Sequence, residues 1–117
     1  MKENIIKNKS FDFAVRIVAL YKYLIENKKE FVLSKQVLRS GTSIGASIRE
    51  SEHAESTSDF IHKLSIALKE ANETEYWLQL LQKSEYISEK EFENINSDLT
   101  EILKLLTSII KTTKSKK

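Results

Sequence analysis

Two histidines each stand three residues after a carboxylate, in Glu50-Ser51-Glu52-His53 and Asp59-Phe60-Ile61-His62. On a helix this spacing puts carboxylate and imidazole on one face, the arrangement used by carboxylate-bridged di-metal sites between long helices. Such a site needs inward carboxylates from two further helices at the same depth. Here both histidines flank one polar stretch, Ala54 to Ser58. They read as surface residues, and no metal site is expected. The absence of cysteine removes thiolate ligands, disulfides and a cysteine nucleophile. No Ser-His-Asp pattern suggests nucleophilic catalysis either, so neither a catalytic residue nor a cofactor nor a small-molecule substrate is expected.

The least ordinary stretch is Arg39-Ser40-Gly41-Thr42-Ser43-Ile44-Gly45-Ala46-Ser47-Ile48. Glycine inside a helix costs about 1 kcal/mol relative to alanine, so two of them four residues apart imply that another backbone passes close by. The other reading is a helix break at Gly41. A phosphate-cradling loop is excluded because no Gly-Lys-Ser/Thr follows at the required spacing. Around the same helix, Lys35, Arg39, Thr42, Ala46 and Arg49 form an acid-free stripe about 21 Å long. Lys28, Lys29 and the lysines of the tail can extend it. These five basic residues, Lys28, Lys29, Lys35, Arg39 and Arg49, are the candidate nucleic-acid contacts, since a row of cations suits phosphate. Equally, they can be solvated, or pair with acids such as Glu70, Glu73 and Glu75 of the third helix or of a neighbouring subunit.

The elements that position these residues follow from hydrophobic spacing. Four segments repeat at the helical period. The first places Phe11, Ala14, Ile17, Val18, Tyr21, Leu24 and Ile25 on one broad face, with Phe13 and Leu20 off it. The second carries Leu33, Val37, Gly41, Ile44 and Ile48; the third Phe60, Leu64, Ala67, Ala71, Thr74, Leu78 and Leu81; the fourth Phe92, Ile95, Leu99, Ile102, Leu106 and Ile109. Short polar stretches near 27–30, 54–58 and 84–88 separate them, and connections that short join antiparallel neighbours. Ser88 with Glu91 makes a capping box, and Ser58 with Asp59 marks the start of the third helix. The expected fold is all-α, an antiparallel up-down-up-down four-helix bundle in one domain, with a core over about 8–110 and a frayed basic tail at 111–117.

Composition agrees. The 117 residues are 40% apolar, enough for a core, and no apolar run is long enough to span a membrane. With no proline and only two glycines, the turn chemistry of all-β folds is missing. The start of the chain lacks a signal-peptide pattern, which points to the cytoplasm. Net charge is +2, but residues 1–49 hold ten basic against four acidic residues, giving +6, and residues 50–110 hold five against thirteen, giving −8. Such polarity brings two halves together or leaves a basic face. Phe13, Leu20, Leu80 and Leu105, lying off the core stripes, and the close-approach pair Gly41 and Gly45 are the candidate oligomer interface. Of the adjacent Tyr76 and Trp77, one is expected to pack inward.

Leu38-Arg39-Ser40-Gly41-Thr42-Ser43-Ile44-Gly45-Ala46-Ser47-Ile48-Arg49-Glu50, followed by Asp59-Phe60-Ile61-His62-Lys63-Leu64 and Ala67-Leu68-Lys69-Glu70-Ala71-Asn72-Glu73-Thr74-Glu75-Tyr76-Trp77-Leu78, resembles the four-helix bundle proteins encoded in intervening sequences of bacterial 23S ribosomal RNA genes. The likeness covers about 8–110; Ser47 stands where the family usually has Asn. It implies an antiparallel bundle that assembles into a homopentameric ring. Related accessory variability proteins of diversity-generating retroelements bind a reverse transcriptase and nucleic acid. The likeness supplies no catalytic residues. The expected function is therefore a non-enzymatic homo-oligomeric module contacting RNA or a nucleic-acid enzyme, or else a protein scaffold with no nucleic-acid role.

Overall fold

Helices α1 (Lys2–Asn27), α2 (Leu33–Ser51), α3 (Thr57–Lys83) and α4 (Glu89–Ser115) run up, down, up and down in a computed structural model that describes residues 2–116. Each packs on its neighbour in sequence and α1 closes on α4, giving a rod with extents of 48 × 22 × 19 Å. The expected all-α antiparallel bundle is the observed one. Its α2 runs unbroken through Gly41.

Local chemistry sets the boundaries. At α4, the Ser88 hydroxyl accepts from the Glu91 N–H at 3.0 Å and the Glu91 carboxylate accepts from the Ser88 N–H at 2.8 Å, the reciprocal box read from sequence. At α3 the cap is Ser56 rather than Ser58: its hydroxyl accepts from the Asp59 N–H at 3.0 Å. Because both glycines lie inside α2, two turns use other residues in the left-handed region, Lys29 (φ 54°) and Glu85 (φ 67°). Each pays roughly 1 kcal/mol for that conformation, which lets Glu30 N–H return to Leu24 O and Tyr86 N–H to Leu81 O. α4 continues through Ser115, so the stretch expected to fray from Lys111 is helical; its last residue, Lys117, lies outside the described residues.

The start of α2 is capped from outside the helix. Its N-cap position is Val32, which has no side-chain oxygen, and its first turn has no acid. Glu30 supplies the carboxylate instead, accepting from the backbone N–H groups of Val32, Leu33 and Ser34 at 3.2, 2.9 and 2.6 Å, while Ser34 Oγ donates to Glu30 O at 2.8 Å. A carboxylate at orphan amides and at the positive end of the helix dipole is doubly favourable. Burial pushes the Glu30 carboxyl upward, but the three amides outweigh it and hold it below its ordinary value.

The buried stripes of α2, α3 and α4 match the sequence expectation, with Leu33, Phe60 and Phe92 half-buried at the helix starts. The orientation of α1 does not. Its core residues are Ile6, Ser10, Phe13, Ile17 and Leu24; Phe13 is 1% exposed, whereas Phe11, Val15 and Val18 face solvent. The helix is apolar on two arcs, and the glycines of α2 choose between them. A Cβ on Gly41 would stand 2.8 Å from Ile17 Cγ1, and one on Gly45 would stand 3.4 Å from Ser10 O. The Gly41–Gly45 face is thus filled by α1 of the same chain, not by another subunit. Between α2 and α3, the buried Ser40 and Thr74 hydroxyls meet at 3.0 Å.

Gly41→Ala forces a methyl into the stiff Ile17 side chain and should lower stability by about 1 kcal/mol, overpacking exceeding the gain in helix propensity. Gly45→Ala makes only ordinary contacts and should stabilise by up to about 1 kcal/mol; urea denaturation compares the two. For Glu30, a carboxyl held below its unfolded value stabilises the fold fully above the unfolded pKa near 4.5 and loses that contribution as pH falls through the lowered folded value. Glu30→Gln should therefore cost about 1–2 kcal/mol at neutral pH and flatten the acid limb of stability against pH.

Candidate nucleic-acid interface and assembly surface

The five candidate cations do not form one free stripe. Arg39 reaches across to α3, its Nη2 donating to Glu73 Oε2 at 2.9 Å and its Nη1 lying 3.6 Å from Glu70 Oε2. Glu73 also accepts from the Trp77 indole N–H at 3.0 Å. That indole bond, acting against burial and helped by Arg39, holds the Glu73 carboxyl below the usual range. Arg49 lies with its guanidinium carbon 5.2 Å from the centroid of the Phe11 ring, within cation–π range. Glu75 takes a hydrogen bond from Asn96 Nδ2 at 3.2 Å. The acids that were candidate partners across subunits are thus engaged inside the chain.

Lys28, Lys29 and Lys35 are different. They sit on the α1–α2 turn and the first turn of α2, all exposed, with no ion pair among the described residues. Lys28 acts on Glu91 only through space, adding to the effect of Ser88 that lowers the Glu91 carboxyl. The structure therefore divides the candidates, leaving three lysines at one end of the bundle available to an anion.

The expected interface residues are also redistributed. Phe13, Gly41 and Gly45 belong to the interior and the α1–α2 crossing, a correction that follows from the rotation of α1. Leu20 and Leu105 are half-buried against the core, and Leu80 is half-buried on α3. Among the apolar side chains turned outward instead are Phe11 (53% exposed), Val15 (55%) and Val18 on α1. Spaced four and three residues apart, they form one strip. Beside it, Gly45, Ala46, Thr42 and Arg49 of α2 help line a shallow depression with Phe11. The signal in the sequence was the second apolar arc of α1 itself. Tyr76 is exposed and Trp77 half-buried, one outward and one inward as expected, with the rings edge-on at 5.0 Å.

Two larger concavities carry no assembled chemistry. One, of about 550 Å³, lies under the α2–α3 turn. There the Ser51 hydroxyl donates to Ile48 O and the Ser56 hydroxyl caps α3, so both are structurally engaged. The other, of about 470 Å³, is a groove between α1 and α4 floored by Leu20, Tyr23 and Ile95. His53 and His62 are exposed, and no group of three or more potential metal ligands occurs among the described residues. No helix is long and apolar enough to cross a membrane among the described residues.

Fold and surface define an all-α four-helix bundle with an exposed apolar strip on α1 and three exposed lysines at the α1–α2 turn and the start of α2. The chain belongs to the 23S rRNA-intervening sequence protein family, whose model matches residues 2–108. It is similar over 95% of its length to a solved structure from Bacteroides thetaiotaomicron, described as a protein of unknown function from the S23 ribosomal protein family, at 68% identity and a TM-score of 0.94, covering 99% of that chain. No curated protein matches it.

Arg39→Ala should lower stability by up to about 1 kcal/mol at low salt, the range of partly exposed ion pairs, and by less in about 1 M salt. Trp77 emission should shift at the same time, because Glu73 loses one of its two partners; denaturation at both salt concentrations and fluorescence of the folded state check this.

Proposed function

We propose that this chain is a cytoplasmic, non-enzymatic module that associates with copies of itself through the outer face of α1 and contacts RNA through Lys28, Lys29 and Lys35. The observation that carries the reading is the strip of Phe11, Val15 and Val18, three apolar side chains turned to solvent along one face of one helix. A contiguous apolar strip is unfavourable in water and is relieved by a self-complementary or ring-forming contact. The pentameric ring implied by the resemblance is the assembly that the reading expects. The lysines support the RNA contact because, unlike Arg39, they have no carboxylate bound to them.

A second reading, a protein scaffold with no nucleic-acid role, is favoured by the engagement of Arg39 and Arg49 within the chain. Solution mass and the absorbance ratio of the purified protein separate the two.

Light scattering should give a mass several times that of one chain for the native protein. Val15→Glu should give a single-chain mass with unchanged helical circular dichroism, since Val15 takes no part in the buried core. A native monomer overturns the assembly reading. RNA binding should weaken steeply between about 50 and 200 mM salt and fall in the Lys28→Ala, Lys29→Ala, Lys35→Ala triple variant; binding unchanged in that variant overturns the RNA contact.

A further inference from the structure

The α1–α2 turn has its polarity inverted. Glu30 is 8% exposed, while the neighbouring Phe31 is 55% exposed and Val32 70%. Carboxylates normally point to water and phenyl rings away from it. The inversion is fixed: the Glu30 carboxylate is tied to three amides, Glu30 O accepts from Ser34 Oγ, Glu30 N–H donates to Leu24 O at 3.0 Å, and Lys29 holds the left-handed conformation that makes the return possible. The turn is thus a firmly held platform that presents an aromatic ring outward, with Lys28 and Lys29 before it and Lys35 just after.

We infer that this platform stacks a base of single-stranded RNA on Phe31 while Lys28, Lys29 and Lys35 meet the flanking phosphates. The inference rests on the RNA reading above and specifies the mode. An aromatic face accepts any base, and lysines beside it neutralise the backbone on either side, the combination by which single strands are held without sequence readout. A duplex hides its base faces and leaves only phosphate to contact. A rigid turn has little conformational freedom left to lose on binding. An anionic lipid surface fits less well. The same end of the bundle carries the exposed Glu85, Glu89 and Glu91, outnumbering Lys83 and Lys90 there, acids that a flat negative surface would meet and a narrow strand can pass by.

The test is fluorescence anisotropy with a labelled oligouridylate of about 20 nucleotides and an RNA duplex of similar length, at about 50 mM salt. The native protein should prefer the single strand. Phe31→Ala should weaken single-strand binding about tenfold and duplex binding less than about twofold. Phe31→Trp should retain the preference, its added fluorescence quenched on binding. The lysine triple variant should lose both ligands. Phe31 lies outside the core, so equal melting temperatures show that a loss is not one of folding. If Phe31→Ala leaves single-strand binding intact while the triple variant abolishes it, the stacking mode is overturned and the basic contact stands. If the native protein binds neither RNA, both fall. Phe31-dependent binding to phosphatidylserine vesicles, with no Phe31 effect on RNA, assigns the platform to lipid and overturns the inference.

Discussion

Ile17 occupies the space where a side chain on Gly41 would be, with its Cγ atoms 2.8 and 2.9 Å from an ideal Cβ, and, one turn along, Ser10 packs beside Gly45 at ordinary contact distance. This close crossing fixes how α1 is rotated about its own axis. Once Ser10 and Ile17 face α2, helical spacing carries Ile6, Phe13 and Leu24 into the core and sends Phe11, Val15 and Val18 to the outside. One steric constraint between two helices therefore settles both what α1 buries and which of its apolar side chains it leaves exposed. The missing methyl group at Gly41 matters because the interior is close-packed and cannot absorb an extra carbon there without displacing Ile17, whereas at Gly45 a Cβ would meet Ser10 at ordinary contact distance.

That constraint explains why some elements were legible in the sequence and one was not. In α3 and α4 the apolar residues occupy a single arc, so periodicity has one solution, and it is the observed one from Leu64 to Leu81 and from Ile95 to Ile109. In α1 two apolar arcs compete, and the residues that decide between them lie on another helix, which no local pattern can register. Glu30 was unreadable for a related reason. Capping signals are sought at the N-cap position, and Val32 there offers none; the acceptor comes from two residues earlier and looks, in sequence, like an ordinary solvated acid. Arg39 lay in an acid-free stripe of its own helix, but its partners Glu70 and Glu73 are on α3, three residues apart and so on one face.

The uneven charge of the chain is partly resolved within it. Lys9 pairs with Glu101, Arg16 with Asp98 and Asn94, and Arg39 with Glu70 and Glu73, each joining the basic first half to the acidic second. Such partly exposed pairs add little stability singly. Their value lies in pairing α1 with α4 and α2 with α3 in one register, since a slipped arrangement would set like charges together. Lys9 and Arg16 do this on the α1–α4 seam, alongside the groove at Leu20 and Tyr23. Setting aside the cations paired with carboxylates leaves Lys22, Lys28, Lys29, Lys35 and Arg49 among the exposed ones of the basic half, and three of these, Lys28, Lys29 and Lys35, sit together at the α1–α2 turn.

Assembly and the turn are geometrically linked. If copies join side by side through the outer face of α1 and close into a ring, each is related to the next by rotation about an axis roughly along the bundle. Such a rotation preserves helix direction, so every α1–α2 turn lies on one rim and the α2–α3 turns on the other. Phe31 and its lysines would then repeat around a single surface, and a strand held at one turn would sit at high effective concentration near the next. A weak single-site contact becomes a useful one without any new interaction. An isologous dimer through the same α1 strip, with its two-fold axis across the helices, would send the two turns to opposite ends and lose this gain. On the proposed reading, the symmetry of the assembly, more than the strength of any one lysine contact, would set how tightly a long strand is held.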